Sequence, residues 1–271
     1  MDTERIAENL KRVVESVRNA ERKAGRKEGS VKLLAVSKFH PAEAVIAAIE
    51  AGQSAFGENR VQEAVEKFSD PALRMDDARL HMIGVLQRNK VKSILPYVSC
   101  IHSVDRIELM EEIAKRLQAE NPSLCPAFRP LTLLIEVHTG EESKSGFTSE
   151  DGIVRALEYA QEANLNIGGF MTMAPLSASP ESAEVRRSFV TLREIKERMQ
   201  KRFPSFSLTE LSMGMSSDLK RVPPWCASEP PCSAIPKRRR RREKSRKKNT
   251  VDFVPVLFVR AACRRRGCAS D

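Results

Sequence analysis

Val31-Lys-Leu-Leu-Ala-Val-Ser-Lys38 is a short apolar run that closes on a lysine. Strands that read as near-continuous apolar runs belong to parallel sheets covered on both faces, and in such folds the chemistry gathers at the carboxyl ends of the strands. A lysine amine partly withdrawn from water is more often neutral, and so able to attack an aldehyde. The plain alternative for Lys38 is a strand-end lysine that simply reaches solvent.

Outward from that stretch, apolar runs at 33–36, 55–56, 82–83, 100–101, 131–137, 169–173 and 208–213 alternate with helical patterns. Seven such alternations predict an α/β fold of the TIM-type (β/α)8 class. Residues 41–51 read as a helix that opens with Pro41 in its first turn and stops at Gly52. Asp105 is a candidate cap for a helix over 105–119. The segment 181–202 carries Val185, Phe189, Leu192, Ile195 and Met199 on one stripe. An amphipathic helix over 3–23, with Ile6, Leu10, Val13, Val14 and Val17 at helical spacing, is expected to cover the outside or one end of the barrel.

The blocks LLAVSKFHPAEAVIAAIEAG, FGENRVQEAVEKF, LHMIGVLQRNK, IHSVDRIELMEEIAKRL, LLIEVHTGEESKSGF, IGGFMTMAP and LSMGMSSD follow one another from about Val31 to Asp218. In content, order and spacing this series resembles the pyridoxal-phosphate homeostasis family, single-domain proteins similar to the barrel domain of alanine racemase. The resemblance implies pyridoxal 5′-phosphate as cofactor, held as a Schiff base on Lys38. It implies that Ser212, Gly214, Met215 and Ser216 belong to the phosphate-side Ser-Met-Gly-Met-Ser motif, and that Asn59 lies near the ring or phosphate. As a residue type, Asn59 reads equally as a turn or helix cap. Glu58 beside it reads as a first-turn carboxylate complementing a helix dipole. His81 falls in the family's His-Phe-Ile-Gly block, with Met82 in place of Phe, as a satisfied strand histidine rather than a general base. Thr172 and Met173 are expected to line the pocket, Met as filler. Glu141, Glu142 and Lys144, on a loop after the fifth strand, form the pocket rim in the family and otherwise read as a solvated turn.

A (β/α)8 barrel takes about 250 residues, so the 271 here look sufficient. Composition contradicts that. Through Leu219 there are 30 Lys and Arg against 32 Asp and Glu, net −2; from Lys220 onward there are 16 against 4, net +12, and together these give +10. The last 52 residues also hold four of the six cysteines, the single tryptophan and the run KRRRRREKSRKK. The predicted organisation is therefore a barrel domain over 1–219 and an unrelated basic tail over 220–271, with the eighth strand missing or replaced. The family continues after its Ser-Met-Gly-Met-Ser-x-Asp stretch with a helix and a strand carrying Arg-Ile-Gly-Thr, and neither is present. Prolines in LKRVPPWCASEPPCSAIP forbid a regular helix, and like charges repel in the block that follows. Only VDFVPVLFVRA, 251–261, is apolar enough to serve as a strand. Pro255 argues for an edge or irregular placement, and Arg260 could stand for the family's arginine only if 256–259 became the eighth strand.

Three function classes remain. The first is a cofactor-binding homeostasis protein that hands pyridoxal phosphate to apo-enzyme acceptors or buffers it, read as a cytoplasmic monomer without a catalytic residue of its own. The second is a racemase-like enzyme, which needs a second acid or base on the opposite face of the substrate. Alanine racemase takes that group from a separate β-domain absent here, and Tyr97 and Tyr159 read as helical, away from strand ends. The third is nonspecific, salt-sensitive nucleic-acid binding by the basic tail. Neither Cys226 with Cys232 nor Cys263 with Cys268 has C-x-x-C spacing or a nearby histidine, so no metal site is predicted. No apolar run of 18 residues and no signal peptide stands in the chain, so no membrane association is expected.

Overall fold

Among the described residues, seven short strands form one parallel sheet whose strand order follows the chain, and each segment that returns from one strand to the next carries at least one helix. The structure is a computed structural model that describes residues 3–73, 78–119, 131–139, 145–174 and 182–214. The strands are β1 (Ala35–Val36), β2 (Ala55–Glu58), β3 (Arg79–Met82), β4 (Val98–Val104), β5 (Thr132–Glu136), β6 (Ile167–Met173) and β7 (Glu210–Gly214). Helices α1 (Thr3–Lys23), α2 (Ala42–Glu50), α3 (Val61–Phe68), α4 (Val91–Ile94), α5 (Ile107–Ala119), α6 (Glu150–Glu162) and α7 (Ala183–Arg202) accompany them. Met215, Ser216, the rim residues Glu141, Glu142 and Lys144, and the whole of 220–271 lie outside the described residues.

The sheet is curled. In a flat sheet β4 and β7, three strands apart, would stand roughly 14 Å from one another. Instead His102 on β4 lies 2.8 Å from the Ser212 hydroxyl on β7. Alternation along each strand then sorts the side chains. Leu34, Val36, Cys100, Leu134 and Met171 meet inside the curl. Ala35, Phe56, Leu80, Ile101, Ile135 and Phe170 point outward into the larger core beneath the helices. Among the described residues β1 and β7 are the two edges of the sheet.

Two strands differ from the sequence expectation. β1 covers Ala35 and Val36 alone, and among the described residues only β2 pairs with it. Residues 31–34 are held by side chains instead of a ladder: Gln53 donates to the carbonyls of Leu33 and Ala55, and Glu21 takes the amide of Val31. β3 begins at Arg79, before the apolar peak at Met82, since its pairing with β2 starts at Ala55↔Arg79. Tyr97 is in the turn before β4 and not in a helix, while Tyr159 lies in α6. The α2 reading holds, with Gly52 at φ 91 just past its end. Ser182 caps α7 by accepting from the amide of Val185, whereas Asp105 pairs with Arg106 ahead of α5.

α1 packs on α2 and sends Val14 and Arg18 across the amino-terminal mouth of the curl. Its buried Glu21 joins the helix to the segment that leads into β1, accepting from Arg18, Gly29, Ser30 and Val31. Burial pushes this carboxyl up, but Arg18 and those donors outweigh it and hold the group below its usual 4.5. A depressed carboxyl contributes stability above its unfolded pKa and loses it as pH falls through the folded one. Glu21→Gln is therefore expected to lower the unfolding free energy at pH 7 by about 1–3 kcal/mol. Urea titrations should show the gap from the parent protein shrinking below pH 4.5; a gap that does not change with pH would count against this assignment.

Candidate cofactor site

Lys38 sits where the apolar run ends, one residue past the last β1–β2 ladder bond from Ser37 N–H to Gly57. The next residue, Phe39, has φ 66, a left-handed conformation that costs a bulky side chain about 1–3 kcal/mol. What holds this turn comes from β2 and α3. Ser37 donates its hydroxyl to buried Glu58, Lys67 donates to the Ser37 carbonyl and to Glu58, and Glu63 accepts the Phe39 amide. Glu63 and Lys67 are one helical turn apart, so α3 supports both sides of Lys38 at once. Burial pushes the Glu58 carboxyl up while Lys67 and Ser37 oppose it, and its Oε2 has no partner among the described residues. Glu58 is thus a buried acceptor at the end of β2, not the first-turn acid the sequence suggested; in α3 that place belongs to Glu63.

The half-buried Lys38 makes no hydrogen bond or ion pair among the described residues. Its Nζ lies 5.8 Å from the centre of the Phe39 ring, which is 69% exposed. Asn59 follows β2 at the same end of the sheet, half-buried. A Cβ on Gly84 would run into the Asn59 backbone, so only glycine lets the end of β3 approach this turn. Met173 and Gly214 are register partners at the ends of β6 and β7, and Met173 packs with the inner cluster. Lys38, Asn59, Met173 and Gly214 are therefore brought to one rim, with Lys38 and Gly214 at the two edges of the described sheet.

Thr172 does not join them, because its buried hydroxyl is tied to the Val137 carbonyl and to Thr139. A residue missed from sequence does. Glu136, buried at the end of β5, faces inward in phase with Leu134 and accepts from Ser145. Burial raises its carboxyl, Ser145 opposes the shift, and Asp105 adds to it.

At the opposite, amino-terminal end of the strands is a cavity of about 460 Å³, lined among others by Val14, Arg18, Leu34, Arg79 and Glu210. His81, His102 and Ser212 form its inner wall, linked by contacts of 2.8 Å from His81 Nδ1 to His102 Nε2 and 2.8 Å from His102 Nδ1 to Ser212 Oγ. His81 is a satisfied strand histidine, as its sequence position suggested. Ser212 turns its hydroxyl to His102, away from the rim that carries Lys38. His102 was not singled out from sequence, although its spacing of two from Cys100 puts both on the inner face.

The rim residues fit pyridoxal phosphate. An amine with no hydrogen bond or ion pair among the described residues, held by a strained turn, suits an aldehyde, and β7 brings backbone amides to the same rim, as a phosphate requires. Glu136 and Asn59 add polar groups that can hold the ring.

The family of the alanine racemase N-terminal domain matches residues 2–228. The chain is 38% identical to the pyridoxal phosphate homeostasis protein of Vibrio alginolyticus over 217 residues, 79% of this chain and 88% of the relative. It is 38% identical to that of Aquifex aeolicus over 214 residues, 79% and 89% respectively. Among solved structures, PipY of Synechococcus elongatus with pyridoxal phosphate bound aligns at TM-score 0.63 and 33% identity, covering 78% of this chain and 90% of that one. Alanine racemase from E. faecalis aligns at TM-score 0.52 and 18% identity over 80% of this chain and 53% of its own, a likeness of fold alone.

Proposed function

Because the chain belongs to the alanine racemase N-terminal domain family, among its pyridoxal phosphate homeostasis proteins, we propose that it binds pyridoxal 5′-phosphate covalently through Nζ of Lys38 and buffers or hands on the cofactor in the cytoplasm. The observation that carries this reading is the Lys38 amine, without a hydrogen bond or ion pair among the described residues, on a turn braced by Glu58, Glu63 and Lys67. The bound cofactor would supply an electron sink and a reactive aldehyde. The chain's own part is to hold that aldehyde. Asn59 and Met173 flank it, Gly214 with Met215 and Ser216 meets the phosphate, and the Ser212 hydroxyl contributes only if it leaves His102. Apo-enzymes in need of cofactor are the partners this reading implies, and the basic tail adds at most nonspecific nucleic-acid contact. Organisation as a barrel over 1–219 with a separate tail over 220–271, and a monomeric state, belong to the same proposal. No described helix is long and apolar enough to cross a membrane.

The test is borohydride reduction of the protein saturated with pyridoxal phosphate, followed by peptide mapping. The label is expected on Lys38, at about one per chain; label scattered over surface lysines would overturn the assignment.

One observation favours the racemase-like alternative, namely that buried Glu136 stands on β5, far around the curl from Lys38 on β1. Against it, Ser145 holds the Glu136 carboxylate, and no tyrosine stands at a described strand end. We expect no change in the enantiomeric composition of L-alanine or other amino acids after prolonged incubation with the loaded protein. Steady turnover that vanishes in both Lys38→Ala and Glu136→Gln would establish the enzyme reading instead.

A further inference from the structure

We propose that the inner wall of the amino-terminal cavity is a binding site for a borderline-soft divalent cation such as zinc, with His81, His102 and Cys100 as ligands. This site is separate from the Lys38 rim and independent of any reading of it. His81 and Cys100 are register partners on β3 and β4, and His102 follows Cys100 by two residues on the same face. Their ligand atoms all lie within 4.8 Å of one another. Zn–N bonds of about 2.0–2.1 Å and Zn–S bonds of about 2.3 Å put tetrahedral ligand atoms roughly 3.3–3.6 Å apart. The two imidazoles, at 2.8 Å, need only part slightly. The thiol needs to close from no more than 4.8 Å, a side-chain adjustment that leaves the strands in place.

The surroundings favour coordination in three ways. First, Ser212 Oγ lies 2.8 Å from His102 Nδ1. Accepting the proton there, it leaves the Nε2 lone pair directed at the site, the outer contact that orients metal-bound histidines. Second, the cavity of about 460 Å³ reaches His81 and His102, which supplies an entry path and room for a water in the fourth position. Third, Glu210 also lines the cavity and offsets part of the charge of Arg18, Lys32 and Arg79 there, and Arg18 is itself paired with Glu21 at 2.9 Å. Imidazole with thiolate selects zinc, cobalt or copper over magnesium and calcium. On binding, the Cys100 thiol gives its proton to solvent and the sulfur–metal bond takes its place, while the proton shared between His81 Nδ1 and His102 Nε2 moves through solvent to His81 Nε2, so that both facing nitrogens offer lone pairs.

Cobalt(II) added to the full chain reports this directly. The expected result is intense visible d–d absorption of a tetrahedral site with a sulfur-to-cobalt charge-transfer band, both displaced by zinc and not by magnesium. Because Cys125, Cys226, Cys232, Cys263 and Cys268 also carry thiols, the site is counted by difference. His81→Ala, His102→Ala and Cys100→Ser should each remove one bound equivalent, and Ser212→Ala should keep it with affinity reduced about 10–100-fold. Where a variant loses its helical circular dichroism, zinc protection of Cys100 from iodoacetamide in the parent chain, read by peptide mapping, takes its place. Unchanged stoichiometry and spectrum in the three folded ligand variants, or no protection of Cys100 by zinc, would overturn the proposal.

Discussion

Lys38→Ala is expected to abolish the visible absorbance that appears when pyridoxal phosphate is added, and to reduce borohydride-fixed label to the background of surface lysines. The effect should be all-or-none. Lys38 is only half-buried and pairs with no group among the described residues, so its loss leaves the fold intact. Its neighbours Ser37 and Phe39 take their hydrogen bonds through Ser37 side-chain and backbone atoms and the Phe39 amide, which the substitution leaves in place. Circular dichroism and urea midpoint should therefore match the parent protein while the label is lost. Absorbance that survives in Lys38→Ala would move the linkage to another amine and remove the basis of the proposed function.

The second large effect is on stability. Lys67 and Glu58 form an ion pair with side chains 5% and 0% exposed. Removing one partner from such a pair leaves a buried charge, and Lys67→Ala is expected to cost about 3–5 kcal/mol. Replacing both with apolar groups of similar size, Lys67→Met with Glu58→Leu, should restore most of that loss, because a buried ion pair is close to neutral relative to good packing. The two variants should part company in function. The double variant regains a urea midpoint near that of the parent, yet without Lys67 on the Ser37 carbonyl and Glu58 on its hydroxyl it should hold Lys38 loosely and label poorly. A loss below about 1 kcal/mol in Lys67→Ala would show the pair to be solvated and not buried.

Much of this was readable from the chain. Lys38 at the end of an apolar run, Gly52 as a helix stop, and the seven alternations of run and helix are local signals, and local signals survive without coordinates. What stayed hidden depends on register. Glu58 reads as a helix-start acid until β2 is seen to run through it, placing its carboxylate beside Lys67. His102 and Ser212 are 110 residues apart, and only the curl of the sheet makes them neighbours. Glu136 looks like a polar strand end until its parity with Leu134 points it inward. The shortness of β1 was hidden for a related reason: an apolar run shows that a segment is buried, not whether a neighbour is present to pair with it.

The match between chain order and sheet order has a consequence for synthesis. Each strand leaves the ribosome when its only earlier neighbour is already available, so the ladder can grow in the direction of translation without waiting for a distant partner. At about 5–20 residues per second, the first 214 residues emerge over roughly 10–40 s. By then six of the adjacent pairings can have formed before anything beyond Gly214 exists. A chain altered only after that point inherits an assembled sheet. A change there leaves untouched the pairings by which the curl begins.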